Sequence, residues 1–202
     1  MKLPNMEARK QHVAGFDFTR FMKRLCDDIC RRVELLSHIE IGQVAIGFAQ
    51  ARKRSQYGIY ASLTPMRFEG GSEFTMKRGR RWRIQNLRLP CGNEALYIIT
   101  FYMPRFQNLA FRDKLETIIH ELWHISPYFD GDVRRFPGRC FAHGHSASHF
   151  DEEVTQLTDQ YLLTNPEDEL CEFLRYDFGE LHQRFGSVFG FRIPRPKLLP
   201  GP

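Results

Sequence analysis

The apolar positions of this chain run first at a helical period, then at a strand period, then at a helical one again. Phe18, Phe21, Met22, Leu25, Ile29, Val33 and Leu36 recur at spacings of three and four, with Arg20, Lys23, Arg24, Asp27, Asp28, Arg31 and Arg32 between them. That spacing predicts an amphipathic helix over 17–37, with Asp17 as its N-cap. Cys26 and Cys30 sit at i and i+4 within it. They read as packing residues, because no second Cys or His pair lies close by. Over 38–50 the spacing shortens, and Ile39, Ile41, Val44, Ile46 and Phe48 predict a strand with a bulge or slip. A second strand is predicted over 57–68, ended near Pro65. A mobile connection is expected from Gly70 and Gly71 through a basic stretch, then a short edge strand over 82–89 and a turn over 90–93. Residues 94–103 hold Leu96, Tyr97, Ile98, Ile99, Phe101 and Tyr102 and predict the strongest strand.

The helical period returns in LAFRDKLETIIHELWHI, residues 109–125, with Asn108 as a candidate cap. At about 100° per residue, Leu115, Ile118, Leu122 and Ile125 share one face. His120 and His124 lie roughly opposite, within about 40° of each other, and Glu121 borders them. Two imidazoles one turn apart can grip a single zinc ion, and a carboxylate beside the first can take a proton from water at that ion. The helix should break at Ser126-Pro127. A loop rich in Gly, Asp and Arg follows, and 148–151 has capping-box character for a helix to about Leu163 with Phe150, Val154, Leu157 and Tyr161 inward. Another helix is expected from Asn165-Pro166, with Glu167, Asp168 and Glu169 at its positive end.

The element order predicts an α+β fold: a small twisted, mostly antiparallel sheet packed by the N-terminal helix, the His120–His124 helix and C-terminal helices. At 202 residues the chain suits one domain, taken as 16–190, with a loose lead-in over 1–15 and a Pro-rich basic tail over 191–202. No apolar run is long enough for a membrane span, 1–15 lacks the apolar core of a signal peptide, and five Cys suit reduced thiols. A cytoplasmic location is therefore expected. A net charge of +5 admits a polyanionic partner, and the cations are clumped: Arg52-Lys53-Arg54, then 77–83 (KRGRRWR), then Arg134, Arg135 and Arg139. The second clump, with Trp82 inside an Arg run, is the candidate for weak nucleic-acid contact.

A third zinc ligand has to come from elsewhere. His143 and His145 flank Gly144 just ahead of a helix, and Glu152 or Glu153 on that helix would give a two-His-one-Glu set instead. Asp130 and Asp132 read as turn formers. Tyr128, Arg139 and His149 are the candidates to stabilise an oxyanion.

The H-E-L-x-H-I element, the Asp/Gly/Arg loop and the His-Gly-His-Ser element leading into a helix resemble the H-E-x-x-H metallopeptidases of bacteria and phages. More distantly they resemble the SprT and Spartan group of zincins. The resemblance covers roughly 94–163. It implies a minimal zincin fold, a zinc-peptidase activity with one Zn2+ per chain and a protein or peptide substrate. In those groups the third ligand is a His just ahead of a helix carrying a Phe a few residues on, which selects His145, with Phe150, over His143. The zinc-binding DNA module of the Spartan-like proteins has no counterpart in the tail. The competing expectation is a nucleic-acid- or partner-binding protein whose zinc is structural. Such sites are closed and Cys-rich, whereas Cys140 alone lies near this loop, and a Glu between the two His has no role there.

Overall fold

A computed structural model of the chain describes residues 15–51, 58–136 and 147–202. A two-residue strand, β1 (Phe16–Asp17), leads into α1 (Phe18–Arg32), and the Asp17 carboxylate accepts the Arg20 amide at 3.0 Å as the N-cap. The helix stops short of Ser37 because Val33 turns extended, and a 3-10 turn (Glu34–Leu36) carries Leu36 into the core. The slip expected over 38–50 is a second 3-10 turn (Ile41–Gln43), after which β2 spans Val44–Gln50. β3 (Ala61–Pro65) ends at the expected proline.

The stretch expected to be a mobile connection is instead a hairpin of β4 (Phe74–Lys77) and β5 (Arg80–Ile84), with Lys77 opposite Arg80. Arg78 and Gly79 close it with φ of 52° and 70°, the paired positive angles of a type I′ turn. Apolar residues are too sparse among the cations for the alternation to show in the sequence, and an Arg stands where Asn or Gly would have marked the turn.

β6 (Tyr97–Met103) is the centre of the main sheet, parallel to β2 and antiparallel to β3. The sheet is therefore mixed rather than mostly antiparallel, since the chain between β2 and β6 carries β3 and the hairpin as a crossover. On one face Tyr97, Ile99 and Phe101 join the large core with α1 and α2 (Phe111–Trp123). On the other, Ala45, Met66, Ala95 and Ile98 form a smaller core with Ile84 and Ile193.

α3 (Ala147–Leu163) buries Phe150, Val154, Leu157 and Tyr161. It runs antiparallel to α2, with Arg112–Asp159 at 2.7 Å near one end and Trp123–Glu153 at 3.2 Å near the other. The helix expected after Pro166 is one turn, α4 (Asp168–Cys171), followed by a 3-10 turn (Glu172–Arg175) and α5 (Phe178–Phe185), which has a capping box of Asp177 and Glu180. β7 (Val188–Phe189) pairs parallel with β1, and β8 (Leu198–Pro200) adds to the free side of β5. The strand expected at an edge is thus the inner strand of a three-stranded sheet. The fold is α+β, built on three small sheets among the described residues. No described helix is long and apolar enough to cross a membrane. Cys26 and Cys30 pack in the main core.

Asn108 does not cap α2. Its side chain accepts the Phe178 amide at 3.0 Å, and Ala110 holds the cap position without a side-chain bond. Two other polar residues fix α2 to the C-terminal segment. Gln107 Nε2 donates to the Phe173 and Tyr176 carbonyls, and Lys114 Nζ to those of Leu174 and Tyr176, all at 2.8 Å. Lys114 is 2 % exposed, and burial lowers its pKa to about 8 against the opposing pull of Asp177 and Glu180. Lys114→Met takes the donor from the Leu174 carbonyl and leaves that of Tyr176 with Gln107 alone, and should cost about 1–3 kcal/mol in chemical denaturation. Between about pH 8 and the ordinary lysine value the unfolded chain holds a proton that the folded chain has released, so wild-type stability gains with pH in that window. The gap between wild type and Lys114→Met should therefore widen from pH 8 to 10. A constant gap would show that Lys114 keeps an ordinary pKa.

Candidate metal centre

The seating of α2 decides where its polar residues point. Leu115, Ile118, Leu122 and Ile125 are fully buried in the main core, which leaves His120 and His124 on the other side of the helix, where α3 meets them. His124 is the C-cap but keeps helical angles (φ −68°, ψ −16°), so the one-turn spacing survives to the helix end. The two rings stand at 81° with centroids 4.6 Å apart, and their Nε2 atoms are separated by 3.0 Å. One ion at about 2.0–2.1 Å from each nitrogen could sit between atoms so placed, so the pair fits a zinc site.

Phe150, 1 % exposed, holds this arrangement from α3. Its ring lies 4.8 Å from the His120 ring, edge to face, and 4.8 Å from the His124 ring, stacked at 26°. Glu121 is 7 % exposed, and it lines a cleft of about 620 Å³ with His120 and Asp113 of α2, Asp151 and Val154 of α3, and Ala61 of β3. Burial pushes its carboxyl up to about 7, against a lowering hydrogen bond from the Leu63 backbone.

The loop after α2 is fastened by its acids. Asp132, 5 % exposed, accepts the Val133 amide at 2.8 Å, the Gly70 amide at 3.0 Å and the Arg135 fork at 2.8 and 3.0 Å. Asp130 accepts the Asp132 amide at 3.1 Å, so both are turn formers. Tyr97 Oη donates to the Asp132 carbonyl and accepts the Gly131 amide, both at 2.9 Å, joining the loop to the central strand. Arg134 lies 3.6 Å over the Trp123 ring and donates to the Trp123 carbonyl at 2.7 Å. Arg134 and Arg135, counted among the basic clumps, are therefore engaged within the fold.

The remaining candidates separate. Glu153 accepts the Trp123 indole N–H at 3.2 Å and has His149 Nδ1 at 3.9 Å, while Glu152 is exposed on the same helix. Tyr128 is 87 % exposed. His143, His145 and Arg139 lie outside the described residues, as do Cys140 and Arg52-Lys53-Arg54. Among the described residues no group of three His, Cys, Asp or Glu side chains assembles to hold a metal. From the sequence, Arg134 stands out only as part of a basic clump and Tyr97 only as a strand residue, and Trp123 and Leu63 do not stand out for the site at all. A tryptophan inside the two-His spacing and an Arg pair after an Asp-Gly-Asp turn were the signals available. No family model, curated protein or solved structure matches the chain.

For Asp132, burial alone would raise the carboxyl, but Arg135 and the Val133 and Gly70 amides outweigh it and hold it below the usual carboxylate range. Its contribution is present above the unfolded value of about 3.9 and is lost as pH falls through the folded value. Asp132→Asn should cost about 1.5–3 kcal/mol at pH 7 in urea denaturation. The cost should shrink when the titration is repeated below the unfolded value. A cost independent of pH would mean that the carboxylate charge contributes nothing.

Proposed function

We propose that this chain is a zinc-dependent metallopeptidase that hydrolyses peptide bonds of a protein or peptide substrate. The observation that carries the reading is the convergence of the His120 and His124 Nε2 atoms, 3.0 Å apart, beside the buried Glu121 carboxyl in the wall of the cleft. His120, His124 and His145 would hold one Zn2+ per chain, which when bound would polarise the scissile carbonyl and make water acidic near neutral pH. Glu121 would serve the water rather than the ion, a role supported by its place in the cleft lining and the hydrogen bond its carboxyl accepts from the Leu63 backbone. Its carboxylate accepts a proton from the attacking water as the water oxygen bonds to the carbonyl carbon. The same carboxyl gives the proton to the amine nitrogen as the C–N bond breaks. Phe150 limits the swing of both imidazoles, so the ligands are ordered before the ion arrives. Tyr128, Arg139 and His149 are the donors available to the developing oxyanion.

The fold is assigned on the same basis to the minimal zincin type, supported by the mixed sheet with β3 beside α2. A cytoplasmic location is supported by Cys26, Cys30, Cys91 and Cys171, which carry free thiols. Weak nucleic-acid contact through the basic clusters is a separate property, supported by the exposure of Lys77, Arg78, Arg80, Arg81 and Arg83. The alternative, a zinc-containing binding protein without proteolytic activity, leaves the burial of Glu121 in the cleft wall without a use.

Purified protein should contain about one zinc per chain by elemental analysis. Glu121→Gln should retain it and lose cleavage of an unfolded protein substrate, whereas His120→Ala should lose the metal. Loss of zinc in Glu121→Gln as complete as in His120→Ala would overturn the assigned role. In the same assay, after dialysis against a weak chelator, His145→Ala should release most of the metal. His143→Ala should keep it, with affinity or activity weakened by at most about 10- to 100-fold. The opposite pattern would reverse the ligand assignment, and retention in both would select Glu152 or Glu153.

A further inference from the structure

We propose that the three-stranded sheet of β4, β5 and β8 docks the phosphate backbone of nucleic acid. This rests on the nucleic-acid contact proposed above and is independent of the peptidase chemistry. Residues 74–93 contain six Lys or Arg and no Asp or Glu, and residues 186–202 contain three and none. The other 20 cations face all 24 acids, so the rest of the chain is net acidic. Far apart in sequence, the two acid-free segments are joined in one sheet. β8 pairs with β5, the Gln85 amide donates to the Lys197 carbonyl and the Gly201 amide to that of Arg81, each at 2.8 Å.

Outside this sheet seven described arginines pair with carboxylates, as in Arg32–Asp28 at 2.8 Å and Arg112–Asp159 at 2.7 Å, while Arg20, Arg24 and Arg134 do not. Lys77, Arg78, Arg80, Arg81 and Arg83, the cations of the hairpin, pair with no carboxylate among the described residues. Strand alternation sorts them by face. Ile84 packs on the smaller core and the Trp82 indole nitrogen is buried, while Arg81 and Arg83 share the outer face with Phe74 and with Met76, which is 66 % exposed. The Arg81 guanidinium lies 3.9 Å over the Phe74 ring. Stacking holds the guanidinium in place while its in-plane N–H groups stay free for a phosphate. It also covers the aromatic face on which a base would stack, so the surface recognises backbone rather than sequence.

The hairpin tip adds an independent sign. Arg78 adopts φ 52°, a conformation that Asn or Gly takes at less cost, and a Cβ on neighbouring Gly79 would meet nothing within 4 Å. A long cation is kept at a strained, protruding position where a smaller residue would fold more readily. Four arginines to one lysine over 77–83 favour phosphodiesters, which the planar fork can engage with two bonds, over a lipid surface. No aromatic or aliphatic residue stands between Lys77 and Arg81 to insert into a bilayer.

The test is fluorescence anisotropy of the full chain with labelled single-stranded DNA, duplex DNA and single-stranded RNA of about 30 nucleotides, between about 50 and 200 mM salt. The single-stranded and duplex arms show which backbone the sheet prefers. Wild type and Glu121→Gln should bind alike, which separates this surface from the peptidase reading. The triple variant Arg78→Asn/Arg81→Gln/Arg83→Gln should bind at least about tenfold more weakly at low salt, with the log–log salt slope shallower by roughly 2 to 3. Arg78→Asn alone should weaken binding without lowering the melting temperature. The proposal is overturned if wild type binds none of the three at low salt, or if the triple variant binds as wild type does. Equal binding to phosphatidylserine vesicles through the same arginines would also overturn it, in favour of a membrane surface.

Discussion

The burial of one side of α2 is the constraint on which the candidate centre depends. Leu115, Ile118, Leu122 and Ile125 are withdrawn from water in the main core, each worth about 1.5–3 kcal/mol relative to exposure. With that face fixed, helical geometry leaves no freedom in where residues 120 and 124 emerge. Phe150 then closes on both rings from the facing helix, so the packing that stabilises the α2–α3 pair also orders the imidazoles. Lys114 in the first turn of α2 and Gln107 just ahead of the helix extend the same logic, binding the carbonyls of the 3-10 turn and of Tyr176 after it. Fold and site are thus the same set of contacts viewed from two sides of one helix.

The main sheet divides the molecule into two chemistries. Its helix-covered face carries the large core and the His pair, and its other face carries a smaller core roofed by the hairpin and the tail. Carboxylates concentrate on the first side, in the cleft at Asp113, Glu121 and Asp151, and are missing from the second across 74–93 and 186–202. A net charge of +5 is therefore a poor description of either surface.

What could be read from the sequence followed the strength of the periodic signal. α1, α3, β6 and α2 were legible because each repeats large apolar residues at one spacing, and Asp17 is a cap that the structure uses as such. The two His and the Glu were legible for the same reason, since a motif gains meaning when its periodicity places it on the polar side of a helix. The hairpin was not, because Phe74, Met76, Trp82 and Ile84 are diluted by cations and its turn is closed by Arg78 rather than Asn. Asn108 was assigned to the wrong helix: it stands three residues ahead of α2, and its side chain serves the first amide of α5. Lys114 breaks the rule that lysine faces solvent, and only the tertiary fold supplies the two carbonyls that make its burial tolerable. The choice between His143 and His145 turned on residues 137–146, outside the described part of the chain.

The central claim is that the His pair belongs to an open, catalytic type of zinc site and not to a closed structural one. X-ray absorption spectroscopy of the zinc-loaded chain tests this most directly, because nitrogen and sulfur neighbours differ in distance. The account predicts imidazole nitrogens at about 2.0–2.1 Å, one exchangeable oxygen and no sulfur. A sulfur neighbour at about 2.3 Å, which would bring Cys140 into the site, or a shell filled by four protein ligands, would contradict it.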